Sequence, residues 1–86
     1  MDNSKLKYIG YTLKKLRKSM LLTQQELAFE SGLDIRTICL LENNKQEPLL
    51  GTLCSLAEAL EMEPSEFMKE IEKDVRCAGI HKQKFE

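Results

Sequence analysis

The sequence predicts an all-α protein that folds as a compact bundle of five helices. Apolar residues recur at helical spacing, strand-like alternation is absent, and the prolines are Pro48 and Pro64. A length of 86 residues fits one small domain. We therefore expect a single helical domain over residues 1–76, followed by a flexible C-terminal tail over residues 77–86.

Helix 1 is predicted from about Lys5 to Met20. Five apolar residues of this segment share one helical face, and we expect them to point into the core: Leu6, Ile9, Leu13, Leu16 and Met20.

Two short helices joined by a tight turn follow. Thr23 is a good N-cap for helix 2, and Glu26 completes a capping box with it. Gly32 can take the left-handed conformation that ends this helix. Asp34 caps helix 3, which ends at Asn43–Asn44. Such a pair is a helix-turn-helix unit, whose second helix can enter a DNA major groove.

Helix 4 is predicted over about Leu50 to Leu60, without a capping side chain, because Leu49 holds the cap position. Helix 5 begins near Pro64, a favoured first helical residue, and Gly79 lies at or after its end. The apolar stripe of helix 5 comprises Phe67, Met68, Ile71 and Val75. We expect Phe29, on the outer side of helix 2, to pack on helix 1 or helix 4, and an exposed contact with a partner is the alternative.

The composition excludes several classes of protein. No apolar run approaches the roughly 20 residues that span a bilayer. The three cysteines match no zinc spacing, and without a secretory segment they predict reduced thiols in a cytoplasmic protein. The single histidine, His81, has no partner motif, and no phosphate-binding glycine loop exists. We predict no enzyme, no cofactor and no metal.

Charge is unevenly distributed although the formal net charge is only −1. The first segment collects basic residues (Lys5, Lys7, Lys14, Lys15, Arg17 and Lys18), and the later segment collects acidic ones (Glu58, Glu61, Glu63, Glu66, Glu70, Glu72 and Asp74). Two interpretations stay open. One is a basic patch on a protein of neutral total charge, and the other is two solvated helix faces.

The stretch TQQELAFESGLDIRTICLLENNKQEP resembles the lambda-repressor-like helix-turn-helix family, also called the Cro/repressor or xenobiotic-response-element family. Its pattern is T-Q-x-x-L-A, then S-G-L, T-I, L-E-N and K-x-x-P. The following TLCSLAEALEMEPSEF resembles the fourth helix of that family and the turn into the fifth. The resemblance covers Ile9 to Phe67 and implies a sequence-specific DNA-binding transcriptional regulator.

The resemblance also implies a role for individual residues. Helix 3 would lie in the major groove of an operator, with Ile38 and Leu41 in the core. Expected base contacts are Ile35, Arg36, Cys39 and Leu40. Expected phosphate contacts are Gln24, Thr37, Asn43, Asn44 and Lys45. Arg17 and Glu42 would form a partly buried ion pair that holds the fold, although two solvated surface charges are the alternative.

Proteins of this type usually bind inverted repeats of double-stranded DNA as homodimers, so an interface is expected. Helix 5 is the candidate for the dimer interface, through Met68, Ile71 and Val75. Met68 and Val75 would lie in an apolar patch that Leu60 or Met62 extends. The alternative is that helix 5 only caps the core.

A second class of function is an antitoxin-like or protein-interaction module that docks a protein partner such as a toxin. The net charge and the apolar face of helix 3 keep this alternative open. Strong, salt-dependent binding to duplex DNA would distinguish the regulator from it.

Overall fold

Five α-helices, and no strands, make up the part of the chain that the computed structural model describes, which is the backbone of residues 4–77 and the side chains of residues 9–77. The helices are α1 (Ser4–Ser19), α2 (Gln24–Ser31), α3 (Ile35–Glu42), α4 (Leu50–Ala59) and α5 (Pro64–Cys77). The predicted all-α, five-helix fold is confirmed. Cys77 is the last residue of α5. Gly79 and the rest of the predicted tail lie outside the described residues.

The starts of α2 and α3 follow the predicted capping chemistry. The hydroxyl of Thr23 accepts the N–H of Glu26 at 3.0 Å, and the carboxylate of Glu26 accepts the N–H of Thr23 at 2.8 Å. The carboxylate of Asp34 accepts the N–H of Arg36 at a longer 3.5 Å. Leu49 precedes α4 without a side-chain cap, as predicted. These caps satisfy N–H groups that have no partner inside their own helix.

Each of helices α1 to α4 is followed, one or two positions after its last residue, by a residue with left-handed backbone, and only one of these residues is glycine. The φ angles are 61° at Leu21, 73° at Gly32, 57° at Asn44 and 59° at Glu61. The next residue donates its N–H to the carbonyl five positions back: Leu22 to Arg17 (3.1 Å), Leu33 to Ala28 (3.0 Å), Lys45 to Leu40 (2.8 Å) and Met62 to Ala57 (2.9 Å). This is the Schellman arrangement. The sequence predicted it at Gly32 and allowed it at Asn44, but contains no signal for it at Leu21 or Glu61.

The core is a single apolar cluster to which every helix contributes. Leu13, Leu27, Ile38, Leu56 and Phe67 have no exposed surface. Helix α1 packs against α3 and α5, α2 packs against α3 and α4, and α4 packs against α5. The helix-turn-helix pair is therefore held from behind by α1 and α4, which in turn pack against α5.

Two sequence-based expectations about this packing are wrong. Met20 lies beyond the end of α1 and is 36% exposed, so it is not a core residue. Val75 is only 5% exposed, so it does not form a surface patch. Leu60, one of the two residues offered to extend that patch, lies in the core. Leu6 lies outside the residues whose side chains are described.

Helix α1 approaches the end of α3 so closely that Gly10 has no room for a side chain. A Cβ on Gly10 would overlap the carbonyl oxygen of Glu42, and would lie 2.8 Å from the Leu41 oxygen. The backbone N–H of Gly10 donates to Oδ1 of Asn44 at 3.0 Å. Gly10 therefore sets the distance between α1 and the candidate DNA-reading helix.

A buried polar cluster joins α1 to α5. Asp74 is 8% exposed and accepts hydrogen bonds from the Thr12 hydroxyl at 2.6 Å and from Nζ of Lys15 at 2.7 and 2.8 Å. Glu70 lies 3.7 Å from the same Lys15 nitrogen. Part of the basic run of helix 1 thus faces part of the acidic run of helix 5, so the two runs are not wholly solvated.

Burial alone lowers the pKa of Lys15, but the hydrogen bond and charge of Asp74, together with Glu70 and Tyr11, outweigh it and leave this pKa raised. A raised lysine pKa means that the folded state favours the ammonium form of Lys15.

Replacing Gly10 by alanine is expected to lower the free energy of unfolding by about 1–3 kcal/mol, because backbone atoms of α3 must move away from the new Cβ. Gly51→Ala is the matched control. Nothing lies within 4 Å of a Cβ at Gly51, so this helical substitution should be neutral or stabilising. Urea unfolding of both variants measures the difference. Equal stabilities would show that α1 and α3 are not in close contact at Gly10.

Replacing Leu21 by glycine is expected to raise the free energy of unfolding by about 0.5–1 kcal/mol. The left-handed backbone strains a leucine but not a glycine. The Leu21 side chain is 89% exposed, so little packing is lost with it. Leu21→Ala is the control, because it removes the same exposed side chain but keeps a Cβ on the left-handed backbone. A Leu21→Gly variant no more stable than Leu21→Ala in thermal unfolding would argue against strain at Leu21.

Candidate nucleic-acid interface

Helix α3 has one buried face and one outward face. Ile38 and Leu41 are fully buried, as expected. Ile35 is 41% exposed, Arg36 is exposed, and Leu40 is partly exposed. The outward face of α3, defined here as Ile35, Arg36 and Leu40, is thus mostly apolar with one guanidinium group. Thr37 is partly exposed beside it.

Arg17 and Glu42 form a buried ion pair between α1 and the end of α3. The Nε and second terminal nitrogen of Arg17 donate to the two carboxylate oxygens of Glu42 at 2.6 and 3.1 Å. The side chains are 9% and 1% exposed. The remaining terminal nitrogen of Arg17 donates to the carbonyl of Leu22 at 2.8 Å, just before α2. One guanidinium group therefore joins α1, the start of α2 and the end of α3.

Gln24, the first residue of α2, is attached to this ion pair. Its amide nitrogen donates to Oε1 of Glu42 at 3.0 Å, and its amide oxygen accepts the thiol of Cys39 at 3.3 Å. The structure thus brings together a residue predicted to contact phosphate and one predicted to contact a base. The Cys39 thiol points to α2, and no sequence signal indicated this pairing.

The turn after α3 uses its two asparagines internally. The side chain of Asn43 donates to the carbonyl of Cys39 at 2.9 Å, and the side-chain oxygen of Asn44 accepts the N–H of Gly10. Lys45 is exposed and makes no ion pair with any residue whose side chain is described. Among these three, Lys45 is the side chain best placed to meet an anion.

Several large apolar side chains are exposed outside α3. Phe29 is 83% exposed, so the expectation that it packs on helix 1 or helix 4 is wrong. Leu49 and Leu50 are each 77% exposed at the start of α4.

The three residues predicted for a dimer interface differ in accessibility. Met68 is 49% exposed, whereas Ile71 and Val75 are 3% and 5% exposed and belong to the core of the single chain. Ile71 and Val75 thus already pack within the monomer, because their stripe on α5 faces the other helices. Of these three residues, Met68 alone presents substantial apolar surface for a contact between chains.

Within residues 4–77, no helix is long and apolar enough to cross a membrane. The same residues contain no cluster of three or more histidine, cysteine, aspartate or glutamate side chains suited to a metal ion.

Comparison with known proteins decides the family. A family model described as helix-turn-helix matches residues 13–67, which includes α2, α3 and most of the core. The chain belongs to the helix-turn-helix family. It has the lambda-repressor-like fold of DNA-binding transcription regulators, and the resemblance found in the sequence is confirmed. No curated protein matches the chain significantly.

Solved structures of small regulators share the fold. The restriction-modification controller protein C.AhdI from Aeromonas hydrophila is 37% identical, with a TM-score of 0.69 over 72% of this chain and 94% of that one. The controller C.Esp1396I, as a tetramer in complex with its natural 35 base-pair operator, is 27% identical with a TM-score of 0.77 over 83% of this chain and 93% of that one. The clp gene regulator ClgR from Corynebacterium glutamicum is 21% identical, and its TM-score of 0.80 over 88% of this chain and 81% of that one reflects the shared fold.

Replacing Glu42 by alanine is expected to lower the free energy of unfolding by about 3–5 kcal/mol, because Arg17 then stays buried without its partner. Replacing both residues together, Arg17 by methionine and Glu42 by leucine, should recover much of that loss, since no buried charge remains. Glu47→Ala, at an exposed glutamate, is the control and should change stability by less than about 0.5 kcal/mol. Chemical denaturation measures all three, and a loss below about 1 kcal/mol for Glu42→Ala would contradict a buried pair.

Proposed function

We propose that this chain regulates transcription by binding an operator with α3 in the major groove, as a homodimer. The observation that carries the proposal is the arrangement of α2, the Gly32 turn and α3. Ile38 and Leu41 anchor α3 from behind, while Ile35, Arg36 and Leu40 face outward from a rigid helix. A site on a rigid element holds its geometry better than one on a loop.

The outward face of α3 suits a mixed guanine and thymine half-site. Arg36 is exposed and has a guanidinium group, which can donate two hydrogen bonds to O6 and N7 of guanine. Ile35 and Leu40 offer apolar surface that packs on the C5-methyl group of thymine. We therefore expect an operator in which guanine lies next to thymines in each half-site.

Contacts to the DNA backbone would come from the two edges of the unit. The N-terminus of α2 presents N–H groups and positive potential to a phosphate, and Gln24 lies there. At the other edge of the unit, Lys45 and the turn of Asn43 and Asn44 would meet the DNA backbone. Thr37 would contact a phosphate between these two edges. The backbone N–H groups of both asparagines are bonded to carbonyls of α3, and their side chains are partly engaged. Their contribution to DNA is therefore expected from the remaining side-chain N–H groups.

The homodimer would form around Met68 on α5. Met68 is 49% exposed and is flanked by Lys69 and Glu72, which carry opposite charges. In a two-fold contact the same patch meets itself, so Lys69 of one copy could pair with Glu72 of the other. Two α3 helices would then reach half-sites about 34 Å apart. C.Esp1396I, a tetramer on its operator, supports the idea of an assembly on DNA.

The regulated genes are proposed to belong to a restriction-modification system. Two similar structures, at 37% and 27% identity, are controllers of such systems. The antitoxin-like alternative receives no support from these relatives, and we do not propose it.

Fluorescence anisotropy of the chain against DNA from upstream of its own gene, and against a scrambled duplex, tests the proposal. We expect tight binding to the first, weaker binding to the second, and a steep loss of both with salt. Absence of binding to either duplex at low salt would overturn the DNA-binding function for this chain.

Two substitutions should separate base reading from backbone contact. Arg36→Ala is expected to weaken operator binding by about 1–3 kcal/mol and to relax the preference for guanine at one position. Lys45→Ala should weaken operator and scrambled duplex alike, and should reduce the salt slope by about one per chain. Titrations against single-base variants of the operator measure both effects. An unchanged base preference in Arg36→Ala would refute its assignment as the guanine reader.

A further inference from the structure

Four side chains form a continuous hydrogen-bonded chain across α1, α2 and α3. Arg17 holds Glu42, Glu42 accepts the amide nitrogen of Gln24, and the amide oxygen of Gln24 accepts the thiol of Cys39. Arg17 donates to Glu42 at 2.6 and 3.1 Å, Gln24 donates to Glu42 at 3.0 Å, and the thiol of Cys39 donates to Gln24 at 3.3 Å. The Gln24 amide is therefore held at both of its ends.

The chemistry of the partners determines the orientation of the Gln24 amide. The carboxylate of Glu42, ionised and paired with Arg17, only accepts hydrogen bonds, so the NH₂ group must face it. The thiol of Cys39 then donates to the oxygen. One N–H of the amide is used by Glu42, and the second N–H remains. Gln24 is the first residue of α2 and is only partly buried.

We propose that Cys39 is a positioning residue for Gln24 and does not read a base. This proposal rests on the proposed function, and it reassigns one residue of the expected base-contact set. The thiol has a single hydrogen, and its hydrogen bond to Gln24 directs it toward α2. With its oxygen occupied by Cys39 and one N–H by Glu42, Gln24 keeps one N–H directed at a phosphate.

The consequence for binding is preorganisation. A side chain that is already ordered loses less conformational entropy when it meets its ligand. Because Glu42 is itself fixed by Arg17 in the core, the position of Gln24 is tied to the packing of α1 and α3. The effect concerns a phosphate contact, which carries no sequence information, so it should be the same for every DNA sequence.

The binding test uses anisotropy on a duplex that the unaltered chain binds and on its scrambled counterpart. Cys39→Ala is expected to weaken binding to both about three- to tenfold, which is the usual effect of one disordered side chain. Cys39→Ser keeps a donor and should restore most of the affinity. Combining Cys39→Ala with Gln24→Ala should bind no more weakly than Gln24→Ala alone. Cys54→Ala, at an exposed cysteine of α4, is the matched control and should bind normally.

The side-chain amide signals of Gln24 in a ¹H–¹⁵N spectrum test the pairing without DNA. They should be dispersed in the unaltered chain and in Cys39→Ser, and should move toward the positions of a solvated glutamine in Cys39→Ala. Thermal unfolding of each variant checks that the fold is retained.

Two results would overturn the positioning role. One is an affinity change in Cys39→Ala that is confined to one operator position and adds to that of Gln24→Ala, which would make Cys39 a base reader. The other is unchanged affinity together with unchanged amide signals in Cys39→Ala. If the unaltered chain binds no duplex, the proposed function fails and the role of Gln24 with it, while the amide signals still report whether Cys39 holds the side chain.

Discussion

The buried ion pair of Arg17 and Glu42 is the interaction on which the arrangement of the helices depends. A charge that is 1% exposed is tolerated only when it is paired and hydrogen-bonded, and here both carboxylate oxygens of Glu42 are satisfied by Arg17. The same guanidinium group reaches the carbonyl of Leu22, so the entry to α2 is held by the contact that holds the end of α3. The relative position of the two helices of the DNA-binding unit is thus set by a residue of α1, outside that unit. Gly10 allows this geometry because its backbone touches that of Glu42.

The net charge of −1 does not describe how charge is distributed over the fold. The acidic residues of α5 do not all face solvent. Asp74 and Glu70 are partnered by Lys15, and Glu72 lies 3.3 Å from Arg76. Pairing leaves the net charge unchanged, but it places these carboxylates beside cations of α1 and α5. The total charge is therefore a poor guide to the field near α3, where Arg36 and Lys45 are exposed.

The helix ends show that this fold tolerates local strain where the topology demands a sharp turn. Leucine, asparagine and glutamate all adopt positive φ at the ends of α1, α3 and α4. Each such residue costs about 1 kcal/mol relative to glycine, and small domains are stable by only about 5–15 kcal/mol. The turns persist because the helices on either side are packed into one core. Strain at a turn is therefore offset by burial elsewhere, mainly of Leu13, Ile38, Leu56 and Phe67.

The sequence by itself determined the helices, their caps and the family. Capping boxes and apolar periodicity are local, since each depends on residues three or four positions apart, and the Thr23–Glu26 cap follows from them. The burial of Ile38 and Leu41 and the Arg17–Glu42 pair were implied by the family resemblance. For the other polar residues, only the tertiary structure decided which of them meet. The pairing of Asp74 with Thr12 and Lys15 joins residues about 60 positions apart, and that of Cys39 with Gln24 depends on the angle between two helices. The tertiary structure likewise decided the exposure of Phe29 and the burial of Val75, because the side of a helix that is covered depends on where its neighbours lie.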